Sequence, residues 1–525
     1  MTDDNPLLPF IDACRRNGLD PGPMDPATLA PASLLRVDVS QWLELAQAAK
    51  SAGLRWCAFW AGEYGTDMEA YSCMERAGAY LILRCRFGRE QALPSLAPVF
   101  PSADRPERHA RDLLGIVFKD QPDERRWTRH HAWKATEHPL RSDFHAQPPG
   151  PTPADHEYPF VTAHGPGIVE IPVGPVHAGV IEPGHFRFQA MGEIILNLEE
   201  RLGYVHKGIE KAAVGRDANG LARLAGRISG DSTVAHGWAA CQALERAAQI
   251  DVPRRALWLR AVLAERERVA NHLGDIGAIC NDAAFAFAQY QLTRLREDSL
   301  RENATVFGHR LLMDCVIPGG VAGDITADQA RDMRNNAITL AAEVKQVIQI
   351  LEDSESLEDR LMRTGRLAPE LAAELGVIGF AGRASGQVYD VRADAPYAPY
   401  DQFEVRVPHY RAGDVAARAK VRSEEITVSL EMMARLLDSL PNGPCRTPWH
   451  APAQACAGLG IVEGWRGEIL SYVSLDEHGQ VTRFFPRDPS WLIWPALELC
   501  VQGNIVPDFP LCNKSMNGSY SGHDL

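Results

Sequence analysis

Apolar positions are grouped in two different ways along the chain, and the change from one to the other falls at a proline-rich break. LLRVDV (34–39), LRWCAFWAGEY (54–64) and AYLILRCRF (79–87) are short runs rich in β-branched and aromatic residues and predict strands. Between the first two, WLELAQAAKSAG (42–53) places Leu43, Leu45 and Ala49 at helical spacing before Gly53. Strands mixed with helices predict a compact α+β unit. HAQPPGPTPADHE (145–157) then clusters proline, glycine and small polar residues, the signature of an extended linker. Beyond it, 161–190 is β-branched and punctuated by glycine and proline, predicting a small sheet or hairpin. From 191 onward the period becomes helical. Pro253 suits a first helical turn, and Leu259, Val262, Leu263, Val269, Leu273 and Ile276 form one apolar stripe along 253–277. Further helices are predicted at 284–308, 326–354 and 411–438, with a β-rich patch at 465–486.

These patterns divide the chain into an N-terminal extension (1–30), a small α+β domain (31–144), a linker (145–157) and a mainly helical domain with a β-rich start (158–525). The fold class is α+β. Residues 34–144 and 158–525 are expected to form separate folded units, with proteolysis starting in the linker. On the helix 253–277, Glu265, Arg268, His272 and Asp275 make a polar stripe. Such a stripe predicts a solvated face or an ion-pair ladder, or a buried proton relay if the helix lies inside a bundle.

Composition narrows the classes. With 525 residues, 45% of them hydrophobic and 23% charged, the chain has room for more than one core. A net charge of −14 argues against nucleic acid as a partner. Residues 105–141 hold many Arg and His, but acids are interleaved, so a mixed solvated or docking surface is expected there, with adjacent His130 and His131 at the surface. No stretch reaches the ~20 apolar residues of a spanning helix, and MTDDNPLLPF lacks a basic region followed by an apolar one. A cytoplasmic location is expected. The eleven cysteines contain no Cys-x-x-Cys pair and are expected to be buried thiols rather than disulfides or metal ligands.

Chemistry-bearing residues gather in a few motifs. RISGDSTVAHGWAACQALE surrounds Arg227, and NIVPDFPLCNKSMNGSYSGHDL closes the chain. Together with GPVHAGVIEPGHFRF (174–188), GYVHKGIEK (203–211) and RASGQVYDVRADAPY (383–397), these segments resemble the large subunit shared by group 4 [NiFe]-hydrogenases and respiratory complex I (NuoD-like), of which formate hydrogenlyase is one type. ERHARDLLGIVFKDQPD (107–123) and HPLRSDF (138–144) resemble the small peripheral-arm subunit of complex I (NuoC-like), which has no redox centre. The resemblance implies a fused NuoC-like and NuoD-like chain, the second half having a hydrogenase-large-subunit-like fold.

In hydrogenases each of the two outer motifs carries a Cys-x-x-Cys pair that binds nickel. Here the four positions are Ser229, Ser232, Ser519 and Gly522. Soft metals select thiolates, and a serine hydroxyl stays protonated near neutral pH. The frame resembles a hydrogenase and the donor set does not.

The resemblance also assigns candidate catalytic residues. Glu182, on the rigid Pro183–Gly184 turn, matches a glutamate that shuttles protons; a carboxylate capping its own loop is the alternative. His177 matches the hairpin of the complex I quinone pocket, where a histidine donates a hydrogen bond or a proton; a structural histidine is the alternative. Arg383 opens a motif that puts an arginine beside the active-site cavity, with a core salt bridge as the alternative. A tyrosine of the quinone pocket corresponds to Leu224 here. Asp231 and His236 flank the serines, but neither an oxygen-rich metal site nor a triad with His523 is supported, since GxSxG is absent.

The expected function is therefore a nickel-free large subunit of a membrane-bound oxidoreductase, facing a cavity lined by Glu182, Ser229, Ser519 and Arg383. Electrons would come from the [4Fe–4S] cluster of an iron–sulfur small subunit (NuoB-like) and pass to a quinone or other small acceptor, coupled to ion translocation by membrane subunits (NuoH-like and antiporter-like). The chain itself would bind no cofactor and would lie on the inner side of the cell membrane through its partners. The alternative is a non-catalytic scaffold holding the iron–sulfur subunit on the membrane arm. Four missing thiolates argue against an active [NiFe]-hydrogenase.

Overall fold

The computed structural model of the chain describes residues 5–130, 133–145, 158–179 and 181–525. The N-terminal part is built on a four-stranded sheet of β1 (Ser33–Val37), β2 (Arg55–Tyr64), β3 (Asp67–Arg76) and β4 (Ala79–Gly88) in the order β1-β4-β3-β2. Only the β1–β4 pairing is parallel. Helix α1 (Val39–Ser51) packs its apolar face, Trp42, Leu45 and Ala49, into the core beside this sheet. Three strands and α1 match the elements expected. β3 was not legible, because DMEAYSCMER mixes acids and small polar residues. Its central place lets it pair on both edges, and Glu69 and Glu75 are neutralised by Arg84, Arg86 and Arg55.

The second part opens with a three-stranded sheet of β5 (Ile168–Val173), β6 (His185–Met191) and β7 (Ile194–Arg201). β7 falls where a helical period was expected; Gly192, at a φ of +61°, turns the chain back so that Ile194 pairs with Met191. The helical body comprises α3 (Thr233–Ala248), α4 (Arg254–Asp282), α5 (Ala286–Phe307), α6 (Ala327–Glu352) and α7 (Val415–Asp438), preceded by helix α2 (Asp104–Leu114) in the N-terminal part. Pro253 is the N-cap of α4, one position before its first turn. The Thr326 hydroxyl accepts from the Gln329 amide at 3.1 Å while Gln329 Oε1 accepts from the Thr326 amide, which fixes the start of α6. A second three-stranded sheet, β8 (Cys456–Gly464), β9 (Gly467–Leu475) and β10 (Val481–Arg487), lies directly against α3. The approach is so close that a Cβ on Gly460 would stand 1.9 Å from the Ala239 carbonyl oxygen, so no other residue fits. After β10 come α8 (Ser490–Cys500), α9 (Phe509–Met516) and α10 (Tyr520–Asp524).

Two expectations are corrected here. The halves are not separate folded units. One continuous core contains Leu34, Trp60, Tyr71 and Ile82 from the first half and Trp238, Leu459, Tyr472 and Phe485 from the second. Trp60 stacks between Tyr71 (5.1 Å) and Phe485 (5.7 Å), and Tyr80 and Arg55 both bind Glu468. Nor is 105–114, within α2, a solvated surface. The charges of α2 are turned inward: Arg105 pairs with Glu200 and Glu498 at 3.2 and 2.8 Å, and His109 Nε2 meets Glu210 at 2.7 Å. His130 contacts the Leu202 carbonyl oxygen; His131 and 146–157 of the linker lie outside the described residues. Nine of the eleven cysteines are buried, and none is in a disulfide.

Glu107, also on α2, is fully buried and accepts from the Ser95 hydroxyl (2.6 Å) and the Leu96 amide (2.7 Å). Burial outweighs these bonds and pushes its carboxyl from 4.5 to about 8. A group protonated in the fold but ionised in the unfolded chain contributes stability that is lost as pH rises between those two values. Burial places Glu267 on the same limb, also at about 8. Between pH 5 and pH 8 the wild-type chain is expected to lose more melting temperature, or gain less, than Glu107→Gln does. Melting curves across the range check it.

Candidate functional site

Three stretches far apart in sequence meet at the ends of β8–β10: the β5–β6 loop, the segment 227–232 that leads into α3, and the C-terminal helix α10. Ser229, Ser519 and Gly522 are brought together. The Ser229 and Ser519 hydroxyl oxygens are 2.8 Å apart, and Ser519 Oγ caps α10 by accepting from the Gly522 amide at 2.9 Å. All three are buried. Ser232 joins through Arg466, whose Nη1 lies 3.3 Å from its hydroxyl.

What fills the middle is an ion pair. Arg466, from the β8–β9 turn, forks onto Asp231 at 2.9 and 2.6 Å and donates from Nε to the Asn517 carbonyl at 2.7 Å. Its guanidinium also lies 3.9 Å from the centre of the Trp465 ring, and the Trp465 indole N–H donates to the Asp231 carbonyl at 2.9 Å. The Ser229 hydroxyl donates to the same Asp231 carboxylate at 2.5 Å. Burial raises the Asp231 pKa, but Arg466 and these hydrogen bonds outweigh it and hold the carboxylate below its ordinary value. Next to it, Asp488 follows β10. It meets His236 Nε2 of α3 at 2.8 Å and accepts from the Ser490 amide at 2.8 Å. His236, Arg466 and the Ser490 bond likewise outweigh burial and lower its pKa.

Glu182 and His177 both lean on α10. Glu182 is exposed, and its Oε2 accepts from the Ser521 amide at 2.9 Å. His177 is half-buried, with Nε2 3.4 Å from the Tyr520 hydroxyl and Nδ1 3.2 Å from the Pro175 carbonyl oxygen. Both therefore border the four substituted positions. Lys207, which sequence reasoning passed over, donates to the Ile228 carbonyl at 2.7 Å; burial lowers its pKa while Glu182 opposes the change. His185 points its Nδ1 at the Gly174 carbonyl, 3.4 Å away, and Leu224 packs into the core. His523 is turned away from Ser229: it accepts from the Trp127 indole at 3.3 Å, meets Asp524 at 2.9 Å and stacks on Trp491.

Arg383 sits among buried carboxylates. Its Nε donates to Glu425 at 2.8 Å, and its Nη1 reaches Glu463 at 3.0 Å and Asp390 at 3.3 Å. Of its two readings, the structure shows the core salt bridge. The α4 stripe belongs to the same array. His272 meets Glu425 at 2.8 Å, Glu265 binds Arg392 at 2.9 Å, and Asp275 binds Arg422 at 3.0 Å. Of the alternatives for this stripe, the structure shows the ion-pair ladder, buried rather than solvated. Burial, reinforced by neighbouring Asp390, pushes the Glu463 carboxyl up to about 7.

Arg466 and Asp488 are the residues that sequence reasoning missed. GWRGE and PRDPS read as strand ends; only the pairing of β8, β9 and β10 over α3 carries them to the serines.

A fused pair of domains around this site defines the class: a large subunit of the hydrogenase and complex I frame without its thiolates. Residues 35–149 match the family described as respiratory-chain NADH dehydrogenase, 30 Kd subunit, and 282–457 match the corresponding 49 Kd subunit family. Residues 207–274 match the nickel-dependent hydrogenase family. Formate hydrogenlyase subunit 5 of Escherichia coli (strain K12) is 34% identical over 82% of this chain and 76% of its own length. An NADH-quinone oxidoreductase protein of Phocaeicola vulgatus is 29% identical over 73% of this chain and 77% of its own length. A solved structure of the membrane-bound sulfane sulfur reductase, an archaeal respiratory membrane complex, superposes with a TM-score of 0.64 at 26% identity, covering 68% of this chain and 99% of its own. The chain belongs to the family of large subunits shared by group 4 hydrogenases and complex I.

The residues present do not fit the nickel of its hydrogenase relatives. Two neutral hydroxyls bonded to each other, a third hydroxyl and a glycine offer no thiolate, and the carboxylates beside them are engaged by Arg466 and His236.

Proposed function

We propose that this chain is the nickel-free large subunit of a membrane-bound oxidoreductase. It receives electrons from an iron–sulfur partner subunit and passes them to a quinone or another small neutral acceptor next to α10. The observation that carries the reading is the convergence of Ser229, Ser519 and Gly522 with Glu182 and His177 around one short helix. Reduction of a quinone to a quinol takes two electrons and two protons. Glu182 suits proton delivery, because its exposed carboxyl group is open to solvent while fixed to the helix by the Ser521 amide. His177 suits orientation of the acceptor by a hydrogen bond, and Arg383 supports from a distance by fixing the buried array. Ion translocation by membrane subunits completes the proposal.

No helix among the described residues is long and apolar enough to cross a membrane; we assign membrane attachment to the partner subunits. The β5–β7 sheet and its loop expose Val169, Val176 (82%), Met191, Ile194 and Leu196, and we put the iron–sulfur partner against them. Val176→Glu with Met191→Lys is expected to reduce co-purification of the iron–sulfur subunit at least tenfold while the chain keeps its melting temperature. Undiminished co-purification would remove this sheet from the partner interface.

A scaffold without catalysis is the second reading. It is favoured by the density of internal pairing, since Asp231 and Asp488 both have partners within the chain.

A further inference from the structure

Losing thiolates removes ligands; position 522 shows something more. A Cβ built on Gly522 would stand 2.7 Å from both Cγ and Oδ2 of Asp488, closer than side chains approach. Any residue but glycine at this position meets a carboxylate. That carboxylate is not free to swing aside. Oδ2 is held by His236 Nε2 and Oδ1 by the Ser490 amide, each at 2.8 Å, and Asp488 and His236 are both completely buried. Moving it would leave the His236 ring, whose Nδ1 already has no partner, with neither nitrogen satisfied in the core.

We infer that the Asp488 carboxylate occupies the place of the fourth metal-ligand side chain, so that the site is closed to nickel by its own rebuilt interior and not only by the missing cysteines. The inference rests on reading 229, 232, 519 and 522 as the former ligand positions, and goes beyond the nickel-free proposal by naming what stands in the metal's way. The Ser229–Ser519 contact agrees. Their oxygens are 2.8 Å apart, whereas two thiolates sharing a tetrahedral metal at ~2.3 Å stand roughly 3.7 Å apart. The two segments have closed onto one another. Asp488 puts a carboxylate at the fourth position, with the fixed positive charge of the Arg466 guanidinium nearby.

A double-mutant cycle on the purified full-length chain tests the steric claim. Gly522→Ala and Asp488→Ala are each expected to lower the melting temperature. In the Asp488→Ala background, adding Gly522→Ala is expected to lower it little further, because the obstructing carboxylate is gone. Additive losses, or an unchanged melt for Gly522→Ala, would overturn the inference. Nickel itself is the second probe. The chain carrying S229C, S232C, S519C and G522C, incubated anaerobically with Ni²⁺, is expected to retain at least tenfold less metal than the same chain with Asp488→Ala added. Thiolate-to-nickel absorption and elemental analysis read the difference. Equal retention with and without Asp488 would overturn the inference while leaving the nickel-free reading intact; nickel in the wild-type complex would strike that reading instead.

Discussion

Glu182→Gln in the assembled complex is expected to lower proton-coupled turnover by about 100-fold or more, the range lost when a positioned acid–base group is removed. Glutamine keeps the shape, and its amide oxygen still accepts from the Ser521 N–H that binds Glu182 Oε2 at 2.9 Å. What disappears is the ionisable proton. Because the side chain is exposed and makes no buried ion pair, the substitution should leave stability within about 0.5 kcal/mol of wild type, as surface changes do. A melting curve, the set of partners retained and acceptor-dependent turnover, all from the same preparation, check both halves. Full turnover in the glutamine variant would favour the scaffold reading.

Arg383→Ala is expected to act quite differently. It removes a partner shared by Glu425, Glu463 and Asp390, all of them no more than 1% exposed. Breaking a buried pair from one side costs about 3–5 kcal/mol, a large share of what holds a domain together. The expected result is loss of soluble chain, with unfolding measured in denaturant moving to far lower midpoints. Lost activity in that variant would thus report on the fold, whereas lost activity in Glu182→Gln would report on chemistry. A chain with Arg383→Ala that folded normally would contradict the role of the buried array.

The contrast between these residues marks how far the sequence could be read. Strands at 34–39, 54–64 and 79–87 and the helix from 254 were legible because local pattern alone specifies them. The two motifs that hold Ser229, Ser232, Ser519 and Gly522 were legible too, since each is a local run, and the fold brings Ser229, Ser519 and Gly522 together. For Arg383 the choice between a cavity arginine and a core salt bridge stayed open for a physical reason. Whether a polar stripe or a lone arginine faces water or a buried carboxylate depends on residues remote in the chain, as Glu265 with Arg392 and His272 with Glu425 show. The same holds for the shared core, where Trp60 meets Phe485. Arg466 and Asp488 carried no motif at all, yet they fill the site. Glycine at 522 looked like simple loss of a ligand; its meaning depends on a carboxylate that only the fold brings within 2.7 Å of its missing Cβ.

The most direct test is elemental analysis of the complex purified with its partners, paired with an assay for hydrogen evolution from reduced viologen. The account predicts iron from the partner's cluster, no stoichiometric nickel and no hydrogen. Stoichiometric nickel in the wild-type complex, with hydrogen evolved, would contradict it.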